Sequence, residues 1–272
     1  MTPRDLPPNV RIVSKLAEDD PSYSVARSEV MAALSRAEDR HFWHRSRNRF
    51  IAHRLRGLGL QPPAHLLELG CGGGSVAAHL AGAGWRVTGV DGHLSRILEA
   101  AARTPTGTFV VHDLRLGLEP LGPERYDVVA LFDVIEHLED PQTALCRAAE
   151  RVVSGGFLVG TVPALMSLWS EVDVRSGHQR RYTRRELATL LSSAPGVDVV
   201  EIASFHRLLV PPLWLLRRVN PRPDALERGL EVPWGPLNGL AHAALRAEQL
   251  AGPLLDLLRV PGSSLWFAGR TG

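Results

Sequence analysis

Asp133, Glu136 and His137 stand in D-x-x-E-H spacing behind an apolar run, and His178 follows in Gly177-His178-Gln179-Arg180-Arg181-Tyr182. Carboxylates and imidazoles are the side chains that hold and move protons near neutral pH. If a turn follows the apolar run, both acids and the imidazole come within reach of one point, and His178 joins them from the neighbouring loop. A second constellation suits a nucleotide-like cofactor. Glu68-Leu69-Gly70-Cys71-Gly72-Gly73-Gly74 follows Leu66-Leu67 and leads into the helix-like Val76 to Leu80. Glycines there permit a tight turn and close backbone approach, and the helix behind them presents free N–H groups to an anion. A glycine loop alone discriminates poorly. Val87 to Val90 sharpens it by ending in Asp91-Gly92, roughly twenty residues on, where an acid at the tip of the second strand accepts both ribose hydroxyls. Phe109 to His112 ends in Asp113, placed to accept from an adenine amino group. NAD enzymes and adenosylmethionine enzymes share this arrangement.

Strands must carry these residues to one edge. Tyr126 to Asp133 reads as a buried strand, Ala144 to Val152 as a helix, and Phe157 to Val162 as the next strand after the Ser154-Gly155-Gly156 break. Alternating strands and helices predict a parallel sheet covered on both faces. Pro163 to Tyr182 is then a loop over the carboxyl ends of the strands, where ligands bind in open α/β sheets. Thr183 and Glu186 form a capping-box pattern, Val197 to Ile202 a sixth strand, and Ser264 to Gly269 a last one. Residues up to about Ser24 read as loosely packed, and Val25 to Gly57 shows helical spacing. The predicted organisation is a tail with lid helices over 1–60, a cofactor-binding core over 61–204, a helical insertion over 205–262 and a terminal strand over 263–272. The insertion is far longer than a hairpin turn needs. Its run from Leu208 to Leu216 either completes the local core or forms an apolar lid or substrate wall that could touch a membrane surface.

In order along the chain, ELGCGGG, VD, HD, DVIEH, SGG and GHQRRYT resemble class I S-adenosylmethionine-dependent methyltransferases over nearly the whole length, the ubiquinone-pathway O-methyltransferase type in particular. The resemblance implies a doubly wound, mostly parallel seven-stranded α/β sheet, its last strand antiparallel beside the sixth, with N-terminal helices as a lid. It implies adenosylmethionine as cofactor. Gly70, Cys71, Gly72 and Gly74 would approach the methionine portion, with Glu68 orienting the loop. Asp91 and Gly92 fall to the ribose, Asp113 and the Leu114 backbone to adenine, and Asp133 completes the set. Arg47 lies four residues before Ile51, where similar ubiquinone-pathway enzymes place an arginine against the methionine carboxylate, a role that a bidentate guanidinium suits. Arg49 competes for it.

Trp43, Trp169, Arg181 and Tyr182 are candidates for lining the acceptor pocket, with a core role for Trp43 and a loop-pinning role for Arg181 and Tyr182 as alternatives. The D-x-x-E-H group with His178 resembles an E-x-x-E-H plus distant His arrangement. That arrangement binds a divalent ion in ubiquinone-pathway O-methyltransferases and in the small-RNA 2′-O-methyltransferases of plants. Here Asp133 shortens the first arm by one methylene. A catalytic role for His178 or His137 as base or orienting group is therefore favoured over a metal held by Asp133, Glu136, His137 and His178. Such a ligand set would suit Mn²⁺, Fe²⁺ or Zn²⁺ better than Mg²⁺.

Composition limits the remaining choices. The 272 residues are 44% hydrophobic and 22% charged, enough for a sizeable core with an accessory region. A net charge of +2 gives no global field to recruit nucleic acid. Cys71 and Cys146 make no disulfide framework, so a reduced, cytoplasmic setting is expected. The N-terminus has no apolar signal-peptide core, and no run reaches the length of a transmembrane helix. The expected function is methyl transfer to an oxygen or carbon of a small, largely apolar metabolite. One alternative is RNA methylation, resting on Arg180, Arg181, Arg184 and Arg185; the other is a non-catalytic adenosylmethionine-binding module.

Overall fold

The computed structural model describes residues 6–14, 38–219 and 232–272. Eight strands form one sheet: β1 (Val10–Ile12), β2 (His65–Leu69), β3 (Arg86–Asp91), β4 (Thr108–Val111), β5 (Tyr126–Phe132), β6 (Val152–Pro163), β7 (Val197–Phe205) and β8 (Ser264–Thr271). Their order is β1-β4-β3-β2-β5-β6-β8-β7, and only β8 runs antiparallel to its neighbours. The chain winds outward from β2 through β3 to β4, then restarts on the other side with β5 and β6. The order therefore reverses between β2 and β5, and a crevice opens there at the carboxyl ends of the strands. Both sequence constellations fall beside it, the glycine loop after β2 and the D-x-x-E-H turn after β5.

Covering both faces of the sheet requires apolar residues at successive strand positions, because side chains alternate across the pleat. Leu66, Val128 and Ala130 join one buried cluster with Ile51, Leu80 and Ile97, while Leu67, Val129 and Leu131 join the other with Leu145, Leu187 and Leu191. Each fully buried large side chain contributes roughly 1.5–3 kcal/mol relative to exposure. The first cluster is covered by α1 (Phe42–Gly57), α2 (Ser75–Ala81) and α3 (Leu94–Arg103), the second by α4 (Pro141–Ala149) and α6 (Arg184–Ser192), with the short α5 (Glu171–Arg175) in the loop after β6. Helix α6 starts at the expected capping box, with Thr183 Oγ1 accepting from Glu186 N and the Glu186 carboxylate accepting from Thr183 N.

One strand exceeds the expected seven. Val10–Ile12 pairs in parallel with β4, so the segment before Ser24 is not all loosely packed. A three-residue strand is too short to show periodicity, and its pairing partner lies a hundred residues away in sequence. Ser14, just beyond it, accepts at Oγ from Asp113 N at 3.0 Å and so fixes the tip of β4. The expected lid pattern over 25–37 lies outside the described residues. What is described, α1, packs Phe50 on Phe205 with ring centroids 4.4 Å apart and pairs Arg54 with Glu201 at 2.6 Å.

The insertion supplies α7 (Val210–Val219), α8 (Gly235–Leu250) and α9 (Gly252–Leu257). Helix α8 braces α1: Asn238 Oδ1 accepts from Phe42 N at 2.8 Å, and Gln249 Nε2 donates to Ser46 O at 2.9 Å. Helix α7 has no buried residue, and Leu208, Trp214, Leu215 and Leu216 are exposed. The apolar run thus does not complete the core. No helix among the described residues is long and apolar enough to cross a membrane.

Candidate active site

The glycine loop turns as its composition demands. Gly70, Gly72 and Gly74 take φ of 74°, 52° and 75°, the left-handed region in which a side chain is strained. A Cβ on Gly70 would lie 2.6 Å from Val134 Cγ2, and one on Gly74 would lie 2.7 Å from Ala100 Cβ. Asp91 closes the loop against β3: one carboxylate oxygen accepts from Gly72 N at 3.0 Å and the other from His93 N at 2.9 Å, with Gly92 buried between. Behind the loop, Glu68 is buried at 3% exposure with Oε2 unpartnered, and burial first raises its pKa to about 8 despite the opposing Arg47 charge. Burial likewise pushes the Cys71 thiol well up, which leaves it an inert packing group beneath the loop.

Across the crevice, Asp113 caps the turn Leu114–Leu116 and pairs with Arg115 at 2.8 Å. Leu114 lines a cleft of about 450 Å³ together with Leu69, Leu131, His137, Leu138 and Gln179. Its lining mixes these leucines with the polar Arg115, Glu139 and Asp140.

Arg47 points inward from α1 while Arg49 faces solvent, so only the former reaches the strand ends. Its Nη1 donates to Asp133 Oδ2 at 2.6 Å, and its guanidinium lies 5.1 Å over the Trp43 ring. Asn48, next in sequence, donates to Ser75 Oγ at 3.0 Å and locks α1 to the start of α2. Asp133 also accepts from Thr161 Oγ1 at 3.1 Å and has φ 56°, a strained conformation for a non-glycine residue. Trp43 faces His206 at 5.4 Å. His206 ends β7 with φ 56°, is fully buried with both ring nitrogens unpartnered, and is pushed down to about 3 by burial and then by Arg47.

The turn after β5 forms, and it brings together three of the four grouped residues. Ligand atoms of Glu136, His137 and His178 all lie within 4.8 Å of one another. Asp133 does not join them, because its carboxylate is held by Arg47 and Thr161. Glu136 is completely buried with both carboxylate oxygens unpartnered; burial, then the Asp133 charge, pushes it well above the usual carboxylate range. His137 is exposed at the cleft and stacks edge-on with His178, centroids 4.8 Å apart.

His178 is ordered by Asp173, whose Oδ1 lies 2.9 Å from Nδ1. Burial alone would raise Asp173, but the His178 bond and the Arg181 guanidinium overcome it and hold the acid at about 2. An ionised Asp173 only accepts hydrogen bonds, so Nδ1 carries a proton and Nε2 is the ring nitrogen left for another partner.

Arg181 and Tyr182 are both tied into the loop. Arg181 is buried, donating from Nε to Asp173 at 2.7 Å and from Nη1 to Ala164 O at 2.9 Å, and buried Tyr182 donates to Ile135 O at 3.2 Å. Both side chains are bonded inside the protein, and both also line a surface cleft of about 480 Å³ with Pro141, Arg185 and Leu190. Trp169 is half-buried in the same loop.

Comparison with known proteins gives the same frame. A methyltransferase-domain family model matches residues 42–202, more than half of the chain. The chain belongs to the class I adenosylmethionine-dependent methyltransferase family. A ubiquinone biosynthesis O-methyltransferase of Rickettsia bellii is 34% identical over 95 residues, 35% of this chain and 40% of the relative. A malonyl-[acyl-carrier protein] O-methyltransferase of Pseudescherichia vulneris is 29% identical over 180 residues, 63% of this chain and 70% of the relative. The solved structure of the N-methyltransferase NodS from Bradyrhizobium japonicum, in complex with adenosylhomocysteine, shares the fold with a TM-score of 0.55 at 18% identity, covering 93% of this chain and 99% of that one. The matched segment of the ubiquinone relative is thus about two fifths of its length.

Within the methyltransferase fold, sequence reasoning missed the pairing of Asp173 with His178. Its one signal was the Ser170-x-x-Asp173 capping box, which orients Asp173 before its bond to His178 five residues on. His206, Ser14 and Thr161 carried no sequence signal at all. Each acquires its place through strand pairing with distant segments.

Proposed function

We propose that this chain transfers a methyl group from adenosylmethionine to an oxygen of a small, largely apolar metabolite, with His178 as the general base and Asp173 as its positioning residue. The observation that carries the base is the 2.9 Å contact between Asp173 Oδ1 and His178 Nδ1, which leaves Nε2 as the proton acceptor. Preference for oxygen over carbon rests on the O-methyltransferase names of the relatives. The apolar acceptor rests on the uncovered leucines and Trp214 of the insertion, which could also rest against a membrane surface.

The crevice fits the cofactor. The left-handed glycine loop leaves no room for a side chain where a ligand's amino-acid end would pass. Gly70, Cys71, Gly72 and Gly74 would hold that end by backbone, with Arg47 on its carboxylate and Glu68 and Asp133 fixing loop and arginine. Asp91 and Gly92 would take the ribose, and Asp113 and the Leu114 backbone the adenine in the 450 Å³ cleft. Bound adenosylmethionine supplies a methyl carbon whose bond to positive sulfur breaks as its bond to the acceptor oxygen forms, leaving a neutral thioether. His178 Nε2 takes the acceptor's hydroxyl proton as that bond forms. Trp43 and α1 exclude water from the line of attack, and holding the reactants collinear supplies much of the rate.

Glu136, His137 and His178 fit a divalent ion as one carboxylate and two imidazoles, and Asp173 would orient His178 equally well as a ligand. We favour the base because the loss of Asp133 to Arg47 leaves three ligands in place of four. RNA methylation is disfavoured, since Arg181 and Arg184 are spent on Asp173 and Asp256, which splits the basic patch. A non-catalytic cofactor-binding module would leave the ordered His178 without use. Labelled-methyl transfer from adenosylmethionine into a metabolite extract tests the reading. A labelled small-molecule product from the native chain and none from His178→Ala is expected; transfer of equal size by both would remove the base.

A further inference from the structure

Arg217, on the insertion helix α7, is a largely buried cation whose ion pair among the described residues is a long one to Asp173. Its side chain is 12% exposed, and its Nε and Nη1 atoms are buried without a hydrogen-bond partner. Asp173 Oδ2 lies 3.8 Å from Nη1, an ion pair longer than a hydrogen bond. That carboxylate is already occupied. Oδ1 faces His178 Nδ1 at 2.9 Å and accepts from Arg181 Nε at 2.7 Å, while Oδ2 accepts from Ser170 N at 2.9 Å and Ser170 Oγ at 3.3 Å.

Charge counting makes the vacancy specific. Two guanidiniums, Arg181 and Arg217, surround one carboxylate, and guanidinium stays charged in proteins. Burial first and Arg181 second pull the Arg217 pKa down to about 10, which leaves it charged at neutral pH. A buried cation whose N–H donors go unbonded destabilises the protein unless a ligand accepts from them. Solvation alone would have been satisfied by an outward arginine, as with Arg218, which lies 4.4 Å over the Trp214 ring.

We propose that Arg217 binds an anionic group, carboxylate or phosphate, on the methyl acceptor itself. The inference deepens the proposed function and rests on it. The insertion thereby acquires a part in the site: α7 packs on the turn Met166–Leu168 and carries the guanidinium to the far oxygen of the carboxylate that orders His178. Anion and reacting hydroxyl would then lie on opposite sides of Asp173, within the length of one small molecule. Guanidinium holds carboxylate and phosphate oxygens through charge-assisted N–H donors, and here Nε and Nη1, on different sides of the group, are the two without a hydrogen bond. The apolar remainder of the acceptor would lie toward exposed Met166 and Trp214.

The test uses the full chain loaded with adenosylhomocysteine and three probes with one tail: octanoate, octyl phosphate and 1-octanol. Calorimetry should show at least one anionic probe binding tenfold or more tighter than octanol, and the tighter of the two names the group. Arg217→Met should abolish the preference and Arg217→Lys should keep part of it, both with unchanged adenosylhomocysteine affinity. The ligand-free Arg217→Met protein should melt no lower than the native one, because an unpaired buried charge has been removed. Equal binding of octanol and the anions, a preference that survives Arg217→Met, or a lower melting temperature in that variant would each overturn the proposal. Failure of the native chain to bind adenosylhomocysteine would instead overturn the cofactor reading beneath it.

Discussion

Asp173 holds His178 twice, by its side chain at 2.9 Å from Nδ1 and by its backbone carbonyl, which accepts from His178 N at 2.9 Å. The imidazole is thereby fixed in both orientation and tautomer. Asp173→Asn keeps the shape but offers an amide that can donate to Nδ1, moving the ring proton to Nε2 and removing the base. Turnover should fall by roughly 100-fold to 10,000-fold with little change in the KM for adenosylmethionine. Combining it with His178→Ala should add almost nothing, as for residues acting as one unit. Fully additive losses would show that Asp173 acts only on the fold.

Glu136, His137 and His178 form a set that a metal could use, so metal dependence is measured directly. We expect turnover to be insensitive to a strong chelator and elemental analysis of the purified protein to find less than one equivalent of divalent ion. Activity lost to the chelator and restored by Mn²⁺, Fe²⁺ or Zn²⁺ would transfer His178 from base to ligand.

Gly74→Ala tests the cradle. At φ 75° the new Cβ would meet Ala100 Cβ at 2.7 Å and Ala100 Cα at 2.9 Å, and backbone cannot step aside as a side-chain end can. Strain of about 1–3 kcal/mol should appear as a lower denaturation midpoint and a weaker adenosylhomocysteine complex. An affinity equal to native, measured by calorimetry, would place the ligand away from this loop.

Glu68 gives the ligand-free protein a pH dependence of defined sign. Its pKa is raised from 4.5 to about 8, so the native state binds the proton more tightly than the unfolded chain does. The stabilisation is fully present below about pH 4.5 and is lost as pH rises through 8, by on the order of a few kcal/mol in total. Glu68→Gln, which mimics the neutral acid, should flatten this slope and raise stability above pH 8. Parallel urea-midpoint curves for native and variant between pH 5 and 9 would refute the assignment.

Apart from β1, the sequence alone determined the sheet, the crevice and the cofactor loop, because these follow from local rules. Val-, Ile- and Leu-rich runs bounded by glycine and acid must be buried strands with polar tips, and glycines at alternate positions must form the tight turn seen at Gly70, Gly72 and Gly74. Tertiary structure alone decided how the acids and cations were shared. Asp133 reads as a partner for His137 by spacing, yet a φ of 56° and an arginine 86 residues earlier turn it to Arg47. Arg181 reads as lining the pocket or pinning the loop and is bonded to Asp173, while Arg217, just past the apolar run, lands 3.8 Å from the same carboxylate. Charge pairing is a competition among all groups that folding brings within a few ångströms, and sequence separation carries no record of that distance.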